Sequence, residues 1–146
     1  MKEKILETLK AMGFELEDME GFGYAFHYEG KHLLYMYNEE DEDFLNLALP
    51  ALLEIDDEDD VTYYQVMDKI NRTLKYVKAN KFSGSMWLFY ERELLGDEDM
   101  QLVLSHMIFH LDEAMNFFNR SMKNSVEEDD TAPDMTDDDL QNEDDE

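Results

Sequence analysis

The chain has 146 residues, with 38 Asp and Glu against 12 Lys and Arg, a formal charge of −26 at neutral pH, and no cysteine. Such a balance argues against binding nucleic acid or an anionic membrane through charge, because like charges repel before contact forms. The missing cysteines exclude disulfides, thiolate metal sites and thiol catalysis, and they fit a reducing compartment.

The charge is also unevenly placed. Residues 125–146 hold 12 of the acids and no base, whereas residues 1–124 hold 26 acids and all 12 bases. The opening Met1-Lys2-Glu3-Lys4-Ile5-Leu6-Glu7 is too charged for a signal or transit peptide. No apolar run approaches the ~18 residues of a membrane helix. We therefore expect a cytoplasmic protein, with a single α+β domain over 1–123 and a disordered acidic tail over 124–146. In that tail Val126, Met135 and Leu140 are the only sizeable apolar side chains, too few to offset the entropy of ordering it.

In chain order, Ile5, Leu6, Leu9 and Met12 share one face of a short helix, and Gly13 stands where it should stop. Tyr24–Tyr28 and His32–Tyr37, joined at Glu29-Gly30, read as a hairpin that sets His27 opposite His32. The acidic loop Glu39–Asp43 leads to a third strand, Phe44–Leu49, ended by Pro50. A second acidic run, Asp56–Asp60, offers N-caps to an amphipathic helix over Val61–Ala79, whose core stripe is Tyr63, Val66, Met67, Ile70, Leu74 and Val77. Met86–Tyr90 reads as a buried strand, extended to Leu95 and stopped at Gly96. Asp97 then caps a last helix reaching about Met122. The expected order is α-β-β-β-α-β(β)-α, an antiparallel sheet with three helices.

That order, together with the stretches Asn71–Val77, Met86–Glu91, Met107–Phe109 and Asn116–Phe118, resembles the YbjN-type domains and the type III secretion chaperone-like fold they share. The resemblance implies a small, acidic, non-enzymatic protein, often dimeric, that holds segments of a partner polypeptide.

Candidate chemistry is sparse. His106 and His110 lie four apart, with Glu113 a further turn on, all along one line of the last helix. A His pair plus a carboxylate suits zinc, but His-x-x-x-His alone is common, and Met107 stands where a zinc protease carries Glu. Neither acidic run has the central Gly or the spacing of a calcium loop. Gly21 and Gly23 precede a strand rather than a helix, and Ser83-Gly84-Ser85 lacks the flanks of a nucleophile elbow. The expectation is therefore no catalytic residue, cofactor or metal.

Surfaces say more. On the last helix Leu102 and Phe109, seven residues apart, fall about 180° from the core stripe, and Phe117 about 100° to its side. These three are the candidate partner-binding residues. The strands are apolar on both faces, so the second face needs cover from the protein's own helices, another subunit or a bound segment. Lys69, Arg72, Lys75 and Lys78 sweep the polar side of the second helix, facing either solvent or the acidic segments. Together these features point to a protein-binding or chaperone-like homodimer. An acidic decoy that occupies a basic nucleic-acid-binding protein is the alternative.

Overall fold

The computed structural model of the protein describes residues 1–54 and 60–130. Helix α1, Lys2–Ala11, ends as its sequence requires. Gly13 takes φ +100°, and the Phe14 amide reaches back to the Leu9 carbonyl at 3.1 Å, closing the last turn. Strands β1 (Glu17–Met19), β2 (Gly23–Tyr28) and β3 (Lys31–Met36) follow as an antiparallel meander. Its second turn is Glu29-Gly30, both with positive φ, and His27 pairs with His32 as the two-residue loop dictates. Gly23 is obligatory: a Cβ there would collide with the Tyr35 carbonyl oxygen on β3. Strand β1 is one more than the three expected before the second helix, because short polar Glu-Asp-Met carries no periodic signal.

Strand β4, Phe44–Glu54, runs past Pro50 instead of ending there. Its register against the later strand β6 shifts between Leu49 and Leu53, so the proline's missing N–H falls within an irregularity rather than a regular ladder. Helix α2 covers Asp60–Thr73; the cap candidates at Asp56–Asp59 lie outside the described residues.

The largest departure from expectation comes next. The second helix does not reach Ala79: Tyr76 turns the chain with φ +72°, and Val77–Phe82 forms edge strand β5. A hairpin through Ser83 and Gly84, both at positive φ, leads into β6, Ser85–Glu93. Val77 suited the helical stripe, but with Ala79 it also fits a two-residue alternation, and pairing β5 along β6 decides between them. The Asn71 side chain seals the junction. Its amide donates to the Ala79 carbonyl at 3.0 Å and its oxygen accepts from the Ala79 amide at 2.6 Å. Lys78 consequently leaves the α2 basic row and lies 3.3 Å from Glu91 on β6.

Helix α3 spans Met100–Asp130. Asp99, not Asp97, caps it, its carboxylate accepting from the Leu102 amide at 3.3 Å. The helix also outlasts the expected end near Met122, running on to Asp130. No Gly or Pro interrupts the chain between Gly96 and Pro133. Residues 131–146, the rest of the acidic tail, lie outside the described residues.

The result is an α+β protein whose six-stranded antiparallel sheet has the order β1-β2-β3-β4-β6-β5. Side chains from all three helices join one face of the sheet in the main core, from Ile5 and Leu9 through Ile70 to Leu104, Met107 and Leu111. Lys31 on β3 lies 2.6 Å from Asp112 on α3; that carboxylate oxygen makes no hydrogen bond of good angle among the described residues, so the link is a charge pairing. On the opposite face Leu34, Ala48, Trp87 and Phe89 form a separate apolar cluster. Among the described residues no helix contributes to it. Of the three sources of cover open to the second face, the protein's own described helices do not supply it.

No helix among the described residues is long and apolar enough to cross a membrane.

Candidate functional site: the cleft between the second and third helices

Helical periodicity places the candidate anchors. Leu102 and Phe109 point away from the core stripe and are 68% and 52% exposed. Phe117, a quarter-turn round, is half-buried and packs on the main core. The three do not form one patch. Phe109 and Phe117 line a cleft of about 780 Å³ between α3 and the end of α2, whereas Leu102 lies beyond it along the same exposed side of α3.

The opposing wall comes from the turn after α2: Leu74, Lys75, Tyr76 and Val77. Its strained backbone holds the Tyr76 ring in place. That ring stacks on Tyr90 at 5.6 Å with an angle of 3° between planes, and lies 5.0 Å from the His106 ring and 4.9 Å from His110. The Tyr90 hydroxyl and His106 Nδ1 are hydrogen-bonded at 3.0 Å. Burial, and to a lesser extent the Tyr76 phenol, hold the Tyr90 hydroxyl above its ordinary pKa, so it stays protonated. Burial, with help from the His106 ring, pushes His110 below the usual imidazole range, and Glu113 offsets part of that. His110 therefore favours its neutral form.

The cleft is also where cations gather on a −26 chain. Lys75, Arg72 and Arg120 line it, with Glu113 as the acidic group among its walls. Lys69 Nζ and the Arg120 guanidinium each stand 5.9 Å from the centre of the Phe117 ring, within reach of its negative faces. Arg72 pairs with Asp68 at 3.2 Å. Neither Lys75 nor Arg120 makes an ion pair among the described residues. The basic row expected along one helix is thus divided, losing Lys75 to the turn after α2 and Lys78 to β5, and it gains Arg120 from α3.

His106 and His110 sit side by side, ring centres 4.3 Å apart. Among the described residues, however, no three His, Asp or Glu side chains converge as a metal cage would need. Aromatic walls and unpaired cations equip the cleft for non-covalent recognition of a segment that is both apolar and anionic. Tyr76 and Arg120 escaped the sequence reading. The alternation Val77-Lys78-Ala79, followed by the turn pair Ser83-Gly84, is the signal that would have ended α2 earlier and exposed Tyr76 as a connection.

A second surface lies on the far face of the sheet, where Phe22, Phe44 and Phe82, each at least a third exposed, border the Trp87 and Phe89 cluster. Asn46 lies in the same floor. Its amide donates to Glu91 at 3.3 Å, while its buried oxygen has no partner among the described residues. Neither a scan against protein-family models nor a search of curated proteins returned a match.

Proposed function

We propose that this protein is a non-enzymatic polypeptide-binding module, chaperone-like in the manner of the type III secretion chaperone and YbjN-type domains it resembles. It grips a partner segment in the α2–α3 cleft. One observation carries this most directly: Phe109, Phe117 and Tyr76 wall a cleft edged by Lys75 and Arg120 on a chain that is otherwise strongly acidic. The element order, with helices on one face of an antiparallel sheet, supports the family resemblance. The uncovered apolar far face supports a homodimer as the working form, and the absence of a membrane-crossing helix among the described residues is compatible with a cytoplasmic one.

A random peptide library displayed on phage tests the cleft. Selected peptides are expected to pair aromatic or aliphatic side chains with Asp or Glu, and to lose binding to Phe109→Ser and Lys75→Glu variants. A library that yields no binder, or binders indifferent to both substitutions, refutes the proposal. The acidic decoy reading rests on the −26 charge. It separates by salt: a decoy releases a basic protein steeply as ionic strength rises, while an apolar grip persists.

A further inference from the structure

We propose that residues 131–146 of this same chain are the resident occupant of the α2–α3 cleft, a built-in competitor for the partner segment. This inference rests on the cleft being the binding site, and it adds a regulator to it.

Charge makes the first argument. Residues 131–146 contain eight Asp and Glu and no base, while Lys75 on the α2 side and Arg120 on α3 line opposite walls of the cleft, with Arg72, the partner of Asp68, beside Lys75. Tethering makes the second. The segment begins where α3 stops, at Asp130, and the cleft follows α3 from Phe109 to Arg120. It therefore meets this site at an effective concentration on the order of millimolar, without any diffusional search.

Register makes the third argument. Pro133 cannot continue a helix and is suited to reversing the chain. An extended chain advances about 3.3 Å per residue and a helix about 1.5 Å, so each residue doubling back passes roughly two of α3. Counted from the reversal at Pro133, Asp137-Asp138-Asp139 come level with Phe117 and Arg120, and Leu140 comes level with the stretch between Glu113 and Phe117. The segment's densest acidic run thus meets a cation of the cleft, and one large apolar side chain enters beside Phe117. A segment too polar to fold by itself can still be held this way, because the cleft supplies the buried surface it lacks.

The chain has no cysteine, so Gln141→Cys gives a unique site for a nitroxide on the full-length protein. Paramagnetic broadening of ¹⁵N amides is expected at Thr73–Val77 and His106–Arg120. It should weaken in molar salt, where a screening length of about 3 Å removes the charge attraction and leaves the apolar contacts. It should vanish in Lys75→Glu/Arg120→Glu, two surface changes whose effect on folding is read from the same spectra. Broadening absent from the cleft, or spread evenly over the surface, overturns the proposal. A mixture of nitroxide-labelled ¹⁴N chain with unlabelled ¹⁵N chain decides whose segment is bound. Broadening of the ¹⁵N partner means a second copy donates it, and the same-chain assignment fails.

The selected peptides, titrated into full-length protein, separate the two proposals. With Asp137→Asn/Asp138→Asn/Asp139→Asn, peptide affinity should rise roughly 10- to 100-fold as the competitor is weakened. Equal affinity, together with no cleft broadening, ends the competitor idea and leaves the binding module standing. Cleft broadening on a protein that binds no peptide, with or without the Asp→Asn changes, ends the binding module and with it the competitor role, leaving an intramolecular contact alone.

Discussion

Replacing Leu102 and Phe109 together by Ser discriminates between an anchor surface and an ordinary exposed helix back. Full burial of a Leu or Phe side chain contributes about 1.5–3 kcal/mol. Leu102 is already about one-third buried and Phe109 about half, from exposures of 68% and 52%. Removing both side chains should therefore cost the isolated fold about 1–2.5 kcal/mol, since only that covered fraction is lost. The exposed remainder is what a partner or second subunit can still bury. It corresponds to about 2–3.5 kcal/mol for the two residues, or roughly a 30- to 300-fold weaker complex. Sedimentation velocity of wild type and double variant at matched concentrations, with urea denaturation of each, reads both quantities. A wild type that stays monomeric and binds no peptide would refute the anchor role. A double variant that fails to fold would show that the two side chains belong to the core and that the helical phasing is wrong.

Three further outcomes follow from local geometry. Gly23→Ala should destabilise by at least ~2 kcal/mol, because the new Cβ meets the Tyr35 carbonyl at φ +148°; thermal unfolding checks it. Asn71→Ala removes both hydrogen bonds to the Ala79 backbone and should cost about 1–3 kcal/mol in urea denaturation, with β5 amides exchanging faster. His110 should titrate by NMR below the ordinary imidazole value near 6.5. Its folded pKa is depressed, so the unfolded chain binds the proton more readily. Its contribution to stability is complete above the unfolded pKa and declines as pH falls through the folded one, a loss that His110→Gln should remove.

The boundaries of α1 and the β2–β3 hairpin were legible in the chain because each depends on a backbone conformation one or two residues dictate. Gly13 accepts a left-handed φ, and Glu29-Gly30 forms the two-residue turn that sets His27 against His32. The outward direction of Leu102 and Phe109 was legible for a similar reason: seven residues are nearly two whole turns of helix. The end of α2 was not. Leu74 and Val77 satisfy a helical stripe, and nothing local forbids continuing it through Tyr76, which lacks the glycine that normally marks a left-handed turn.

By itself, then, the sequence determined the charge asymmetry, the α+β class, the helical and strand periodicities, and which side of the last helix carries Leu102 and Phe109. These follow from composition and from the fixed rise and twist of regular backbone. Tertiary structure alone decided three things. Val77–Phe82 became a strand because the edge of β6 offered a ladder, worth more to those residues than another turn of helix. Lys78 was drawn across to Glu91, and Arg120 was brought from α3 to stand with Lys75 in one cleft. The helices settled on one sheet face and left Trp87 and Phe89 on the other. Each outcome depends on which distant surfaces meet, and alternation along a strand marks two apolar faces without saying what covers either one.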